Sequence, residues 1–290
     1  MTVDSAGQRW LPRHRVEGPD GAPAVFLGPS MGTSSRVWDP QAGALARTHR
    51  VVRWELPGHG RDGEDSEGGS DGSGGGGGGE GGGGGSELPP KGADVGWLGE
   101  GVLSLADALG VGRFAYAGIS LGGAVGTWLA AHHPRRLNSL ALLCTSARFG
   151  PPEEWYERAA LVRAEGTGPM ARLVQGRWFT PPFADSDTAR TLVEDTRTAD
   201  PVAYARLCEV LAGFDLRAEL PRVTVPTLVL AGREDLATPV THARELADGI
   251  PGARLVEIPD AAHLANVERP APVLAALRAH LARPGAPPSQ

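Results

Sequence analysis

Apolar and polar positions along this chain fall into two alternating patterns. Ala24–Leu27, Arg50–Leu56, Arg113–Ala117, Leu137–Thr145, Thr227–Ala231 and Arg254–Ile258 are short runs with the length and apolar content of strands. Leu137–Thr145 is nearly continuously apolar, as a strand buried on both faces must be. Helical stretches lie between them. One is expected around Trp38 to Thr48, one where Leu98, Val102, Leu105 and Leu109 share a face, and one over Ala124–His132, ended by Pro134. Another contains Ala243–Ala247, and a last one carries Val273, Leu274, Leu277 and Leu281. This alternation predicts an α/β fold, a mostly parallel central sheet with helices on both faces. From about Arg148 to Phe214 the strand pattern lapses into charged, helix-period stretches with Trp155, Leu161, Leu173, Trp178, Leu207 and Leu211. The expected organisation is therefore a core over 1–147, a helical cap over 148–214, a second core part over 215–283 and a flexible tail over 284–290.

Composition changes that picture at one place. The chain has 290 residues, 42 of them Gly, and a formal net charge of −6. Fifteen of the glycines fall within the 23 residues from Gly63 to Gly85, and Asp62–Pro90 carries seven acidic residues and no Lys or Arg. Without those seven charges the rest sums to +1, so the acidity belongs to one segment. That segment has almost no apolar side chain to offset the entropy of ordering, and 62–93 is expected to be a disordered loop. The basic residues, 27 Arg and the single Lys91, are scattered, which gives no nucleic-acid footprint. No apolar run approaches membrane-spanning length, and Met1 to Arg15 lacks the apolar region of a signal peptide, so a cytoplasmic protein is expected. Cys144 and Cys208 show neither metal nor redox spacing, and Cys144, at the end of an apolar run, reads as a buried reduced thiol.

The chemistry concentrates at Gly118-Ile119-Ser120-Leu121-Gly122, a G-x-S-x-G sequence between an apolar strand and an Ala-rich helix. So tight a strand-to-helix turn needs small neighbours around a serine in strained backbone. It also aims the N-terminus of the new helix at a site where an oxyanion forms. A serine hydroxyl needs a base, and this turn expects Ser, then Asp or Glu, then His along the chain. Asp235 follows the strand Thr227–Ala231 and His263 follows Arg254–Ile258, which puts both at carboxyl ends of strands. His263 is the expected base and Asp235 the residue that orients it, with Glu234 and Asp260 as rivals for the acid. His132, His133, His242 and His280 read as surface or capping residues, and His59 as a brace for loops near the site. Nothing in the sequence calls for a metal or a cofactor.

With these residues placed, the chain resembles the α/β-hydrolase superfamily, and within it the 3-oxoadipate enol-lactonases. Four stretches carry the narrower likeness. They are Pro29-Ser30-Met31-Gly32-Thr33 with Trp38-Asp39-Pro40-Gln41, Arg177-Trp178-Phe179-Thr180-Pro181, Ala231-Gly232-Arg233-Glu234-Asp235-Leu236-Ala237-Thr238-Pro239, and Ala261-Ala262-His263-Leu264-Ala265-Asn266-Val267-Glu268. The last is the most specific, because generic esterases usually have Gly before this His. Pro29 departs from the family, which often has Asn there, as does the long acidic Gly tract after Pro57-Gly58-His59-Gly60.

The resemblance implies an α/β-hydrolase fold with the helical cap inserted before the acid-bearing strand. It implies an oxyanion hole from the backbone N–H groups of Met31 and Leu121, no cofactor, and a place in the β-ketoadipate pathway of aromatic compound breakdown. Any decarboxylase activity of the kind fused to some relatives is expected on another chain. The expected partner is a small carboxylate-bearing lactone, not nucleic acid or membrane, and its carboxylate calls for a cation. Arg148 is the first candidate, Arg177 the second, and Trp155 and Trp178 are candidate walls of the pocket. A general carboxylesterase of the same fold, and a ligand receptor on this scaffold with little turnover, are the competing readings.

Overall fold

The computed structural model describes residues 10–60 and 88–282. The Gly-rich acidic expectation over 62–87 and the tail over 284–290 lie outside the described residues. The described chain resumes at Leu88, ahead of the expected Asp94. Pro90–Ala93 there form a turn closed by Ala93 N–H to the Pro90 carbonyl.

Among the described residues seven strands form one sheet: β1 (His14–Glu17), β2 (Ala24–Gly28), β3 (Arg50–Trp54), β4 (Phe114–Ile119), β5 (Leu137–Leu143), β6 (Thr227–Gly232) and β7 (Arg254–Ile258). Their order across the sheet is β1-β3-β2-β4-β5-β6-β7, and only β1 runs antiparallel. This is the mostly parallel α/β-hydrolase arrangement that the sequence implies. β1 escapes the apolar pattern because it is a four-residue edge strand with the sequence HRVE, Val16 included among its exposed positions. Along the central strands successive side chains enter different cores. Phe26, Val52, Tyr116, Leu140, Leu142 and Val229 join one cluster, while Val25, Leu27, Val51, Ala117, Ala141 and Leu228 join the other. This alternation is why these strands read as continuous apolar runs.

One face is covered by α2 (Val95–Ala108), α3 (Leu121–His132) and α8 (Val240–Gly249), whose Leu98, Leu129 and Leu246 belong to the first cluster. The other face is covered by α1 (Asp39–Leu45), the short α9 (Ala265–Glu268) and α10 (Pro270–Leu281), whose Leu45, Val267 and Leu277 belong to the second. Between β5 and β6 the chain forms α4 (Pro152–Glu165), α5 (Gly168–Trp178), α6 (Asp187–Thr198) and α7 (Pro201–Ala212), with α4 packed on α7 and α5 on α6. No described helix is long and apolar enough to cross a membrane.

Two features of this topology create a site. First, β2 lies between β3 and β4, so the connections leaving β2 and β4 diverge and open a crevice at their carboxyl ends. Second, β2, β4 and α3 approach one another at backbone distance. A Cβ on Gly118 would stand 2.1 Å from the Gly122 carbonyl oxygen, one on Gly122 would stand 2.5 Å from Gly28, and one on Gly123 would stand 2.6 Å from Thr145. Glycine is required at Gly118 and Gly122 because the obstacles there are backbone and cannot rotate away, while at Gly123 the obstacle is the Thr145 side chain.

Gly122→Ala is therefore expected to destabilise the fold by roughly 3 kcal/mol or more, as overpacking against backbone does. Gly176 lies within α5, and a Cβ there meets nothing within 4 Å. Gly176→Ala is expected to stabilise by up to about 1 kcal/mol through helix propensity alone. Urea unfolding of the two variants beside the parent checks the contrast.

Candidate active site

Ser120 occupies the position between β4 and α3 with φ 55° and ψ −119°, a conformation that costs a non-glycine residue about 1–3 kcal/mol. The surroundings over-determine it. Its N–H donates to the Leu143 carbonyl at 3.0 Å, and its carbonyl accepts from Thr145 Oγ1 at 2.7 Å and from the Ala124 N–H at 3.0 Å. Tyr116 Oη donates to the Gly122 carbonyl, and the Gly122 N–H donates to the Pro29 carbonyl, both at 3.0 Å. The strand pairs flanking β4 thus clamp the turn from both sides. Leu121 opens α3, so its N–H belongs to the first-turn donors that have no acceptor within the helix.

The loop after β2 carries Met31 beside this turn. Its shape is fixed by a buried polar network. The Gly32 N–H donates to His59 Nε2 at 3.0 Å, and His59 Nδ1 lies 2.8 Å from the Pro57 carbonyl, which can only accept. His59 is therefore neutral, with its proton on Nδ1. Burial pushes its pKa down from 6.5 to about 4, against the smaller raising effects of the Pro57 carbonyl and Asp200. The ring stacks on Tyr204 of α7. Thr196 Oγ1 of α6 donates to the Gly32 carbonyl at 2.8 Å, and Asp195 accepts from the N–H and hydroxyl of Ser34 at 2.9 and 2.6 Å. His59 thus braces the loop, as expected from its place in the Pro-Gly-His-Gly turn.

Asp235 and His263 meet as their order along the chain predicts. His263 Nδ1 donates to Asp235 Oδ2 at 2.9 Å, and both residues are buried, at 2% and 3% exposure. The remaining lone pairs of Asp235 accept from the N–H groups of Ala237 and Thr238 and from Thr238 Oγ1, at 2.7–2.8 Å. Burial alone would raise its carboxyl, but the His263 charge and these hydrogen bonds prevail and hold it below the ordinary range. Of the rivals, Asp260 is paired with Arg269 on the outside and Glu234 shows no contact with His263. Asp260 contributes instead a left-handed turn, φ 52°, ahead of the His263 loop.

Glu268, singled out in the sequence only as the end of the His263 motif, is the anchor of that loop. Its buried carboxylate accepts from the Ala262 N–H at 2.5 Å and from the N–H and hydroxyl of Thr180 at 2.8 Å. The Leu264 N–H donates to the Trp178 carbonyl at 3.1 Å. The residues on either side of His263 are thus tied to the chain just beyond α5.

Ser120, His263 and Met31 line one cavity of about 270 Å³, together with Trp155, Arg158, Arg177, Trp178, Tyr204 and His242. A larger cleft of about 890 Å³ contains Arg13, Ser34, Arg36 and Asp195 but neither Ser120 nor His263, so it is the smaller cavity that brings the candidate residues together. Trp155, Trp178 and Arg177 are among its lining residues. Arg148 is not. It is half-buried, its backbone bridges Asp215, and it is not among the residues that line the cavity. The loop it occupies ties the end of β5 to the chain after α7. Arg158 takes a place at the cavity that the sequence did not assign; its only signal was helical spacing, three residues after Trp155. Two histidines also depart from expectation. His242 faces the cavity, and His280 is buried on the inner face of α10. Cys144 and Cys208 are both buried and free, and burial pushes their thiols up, away from the reactive form. Among the described residues no group of three His, Cys, Asp or Glu is placed to hold a metal ion.

The sequence profile described as the alpha/beta hydrolase family matches residues 24–276. The 3-oxoadipate enol-lactonase 2 of Acinetobacter baylyi is 32% identical over 250 residues, covering 86% of this chain and 84% of that protein. The crystal structure of the enol-lactonase from Burkholderia xenovorans LB400 superposes with a TM-score of 0.82 at 33% identity, covering 93% of this chain and 96% of that one. A malate-bound thermophilic esterase from Thermogutta terrifontis superposes with a TM-score of 0.78 at 26% identity, covering 93% and 92%.

The buried neutral His59 generates a pH prediction. Its folded-state pKa lies below the unfolded value, so below pH 6.5 the unfolded chain takes up a proton that the folded one refuses until about pH 4. Stability then falls as pH drops through that window, by roughly 3 kcal/mol from this group. His59→Gln retains an acceptor for the Gly32 N–H and is expected to flatten the dependence. Urea unfolding of both proteins between pH 4 and 7 measures the difference.

Proposed function

The chain belongs to the alpha/beta hydrolase family, and from that premise we propose that it opens a small carboxylate-bearing enol-lactone, 3-oxoadipate enol-lactone to 3-oxoadipate, through an acyl-enzyme on Ser120. The observation that carries the reading is His263, hydrogen-bonded to the buried Asp235, sharing a cavity with a serine held in a strained turn. The enol-lactonase relatives and the cationic lining at Arg177 support the choice of substrate.

In this reading His263, with its Nδ1 proton committed to Asp235, offers the unprotonated Nε2 as base. Ser120 gives its proton to Nε2 and attacks the lactone carbonyl, whose oxygen is received by the N–H groups of Met31 and Leu121. The ring C–O bond then breaks and the leaving enol oxygen takes the proton back from His263. Water, deprotonated by His263, attacks the acyl carbon, the bond to Ser120 Oγ breaks as Oγ takes the proton from His263, and the free enol tautomerises to the ketone. Asp235 stabilises the imidazolium at each transfer. The chain's own residues supply every proton position in this sequence, so no cofactor or metal enters it.

A general carboxylesterase is the second reading, favoured by the esterase among the structural relatives. A fold and a triad do not by themselves choose a substrate. A panel of 3-oxoadipate enol-lactone and short p-nitrophenyl esters separates the two. The enol-lactone is expected to have the higher kcat/KM, and a preference for the neutral esters by orders of magnitude would sink the lactonase reading. Ser120→Ala is expected to lose on the order of 10³-fold or more in kcat on every substrate. Retention of most activity would sink the acyl-enzyme, and acylation of the parent without turnover would favour a receptor.

A further inference from the structure

The cavity contains a cation with no counter-ion. Arg158 lies on α4, and among the described residues it makes no hydrogen bond and no ion pair; it makes a cation–π contact, with its guanidinium carbon over the Trp155 ring, 4.6 Å from the centroid. The stack is itself built. Trp155 Nε1 donates to the Phe149 carbonyl at 2.5 Å, and Phe149 meets the Trp155 ring edge-on, which fixes the indole as a platform. Such a contact leaves the guanidinium N–H donors at the edge of the stack unspent, in the fork geometry that matches a carboxylate.

The other cations near the site are already engaged. Arg177 Nη2 donates to the Leu236 carbonyl at 2.8 Å, and Arg148 lies outside the lining. The lining also contains one carboxylate, Glu154, one turn before Arg158 on α4, yet the two do not pair. With Arg158 and Arg177 against Glu154 the lining is net cationic. The two arginines also sense each other. Burial lowers the pKa of Arg177, and the Arg158 charge adds to the effect. A bound anion between them would relieve that repulsion.

From this arrangement we propose that Arg158, presented on the Trp155 platform, is the specificity-determining residue that binds the carboxylate of the acyl substrate, at the end of the cavity away from the scissile carbonyl. The inference deepens the functional reading above, but it concerns substrate charge and not the lactone ring. It assigns the anchor to α4 and not to Arg148 or Arg177. It further implies that dicarboxylates of matching length compete with substrate.

The test compares two esters of equal acyl length, p-nitrophenyl butyrate and mono-p-nitrophenyl succinate, on the parent, Arg158→Gln, Arg158→Lys and Arg177→Gln. The parent is expected to favour the acidic ester. Arg158→Gln is expected to lower the acidic-to-neutral ratio of kcat/KM by 10- to 100-fold, mainly through KM. Arg158→Lys, which keeps the charge without the fork, is expected to recover part of the ratio and to remain folded by circular dichroism. Loss of the ratio in Arg177→Gln but not in Arg158→Gln would overturn the assignment. So would an equal loss on both esters, or a parent with no preference. If the parent ignores 3-oxoadipate enol-lactone yet prefers the acidic ester through Arg158, the lactonase reading fails and the anchor stands.

Discussion

The structure depends on one close approach, where the backbones of β2, β4 and the first turn of α3 meet around the Tyr116 hydroxyl. Gly28, Gly118 and Gly122 form that junction, and its tightness holds Ser120 at a positive φ. The strain is local, but its support is not. The carbonyls that hold the turn come from Pro29 after β2 and Leu143 in β5, so the sheet's strand order is what makes the serine's conformation affordable. The parallel register on both sides of β4 brings these acceptors to the right height. An antiparallel neighbour would place a hairpin turn there instead.

Buried and half-buried acids do the second part of the work. Asp235, Asp195, Glu55 and Glu268 each accept backbone N–H groups from a loop that borders the cavity. An acid in that role satisfies donors that a loop cannot pair within itself, and it gives the loop one conformation. Asp195 and Glu268 also join the cap to the core, since one carboxylate sits on α6 and reaches Ser34 while the other sits in the core and reaches Thr180. The cap is therefore more than a lid resting on the sheet. Its α6 and the segment after α5 are bonded to the same loops that carry Met31 and His263.

Much of this was legible in the sequence because it follows local rules. Apolar runs bounded by Gly and Pro mark β2 to β7, and the spacing of Ser120, Asp235 and His263 places each after a strand. β1 was not legible because four residues, two of them charged and with Val16 exposed, carry no period-2 signal that stands out from a loop. The positions of Arg148 and Arg158 were not legible for a different reason. Both are arginines near the start of the cap, and which of them faces the cavity depends on how α4 docks on α7, a packing between elements about 50 residues apart. Helical periodicity gives the face of α4 but not the direction in which that face points. Glu268 was visible as a motif residue, but its function required seeing Thr180 brought beside it from the segment between α5 and α6.

The uneven way in which the cap is attached has a consequence for how such a protein changes over generations. Substitutions in α6 or at Thr180 disturb the loops that position the reacting groups, so they trade any new preference against the chemistry itself. α4 is under no such obligation. It leans on α7, and its cavity-facing side chains, Trp155 and Arg158, hold no backbone group of the Ser120 or His263 loops. Drift in α4 can therefore rewrite what the cavity accepts while the machinery beneath it is inherited intact. A lineage built on this scaffold would diversify through one helix.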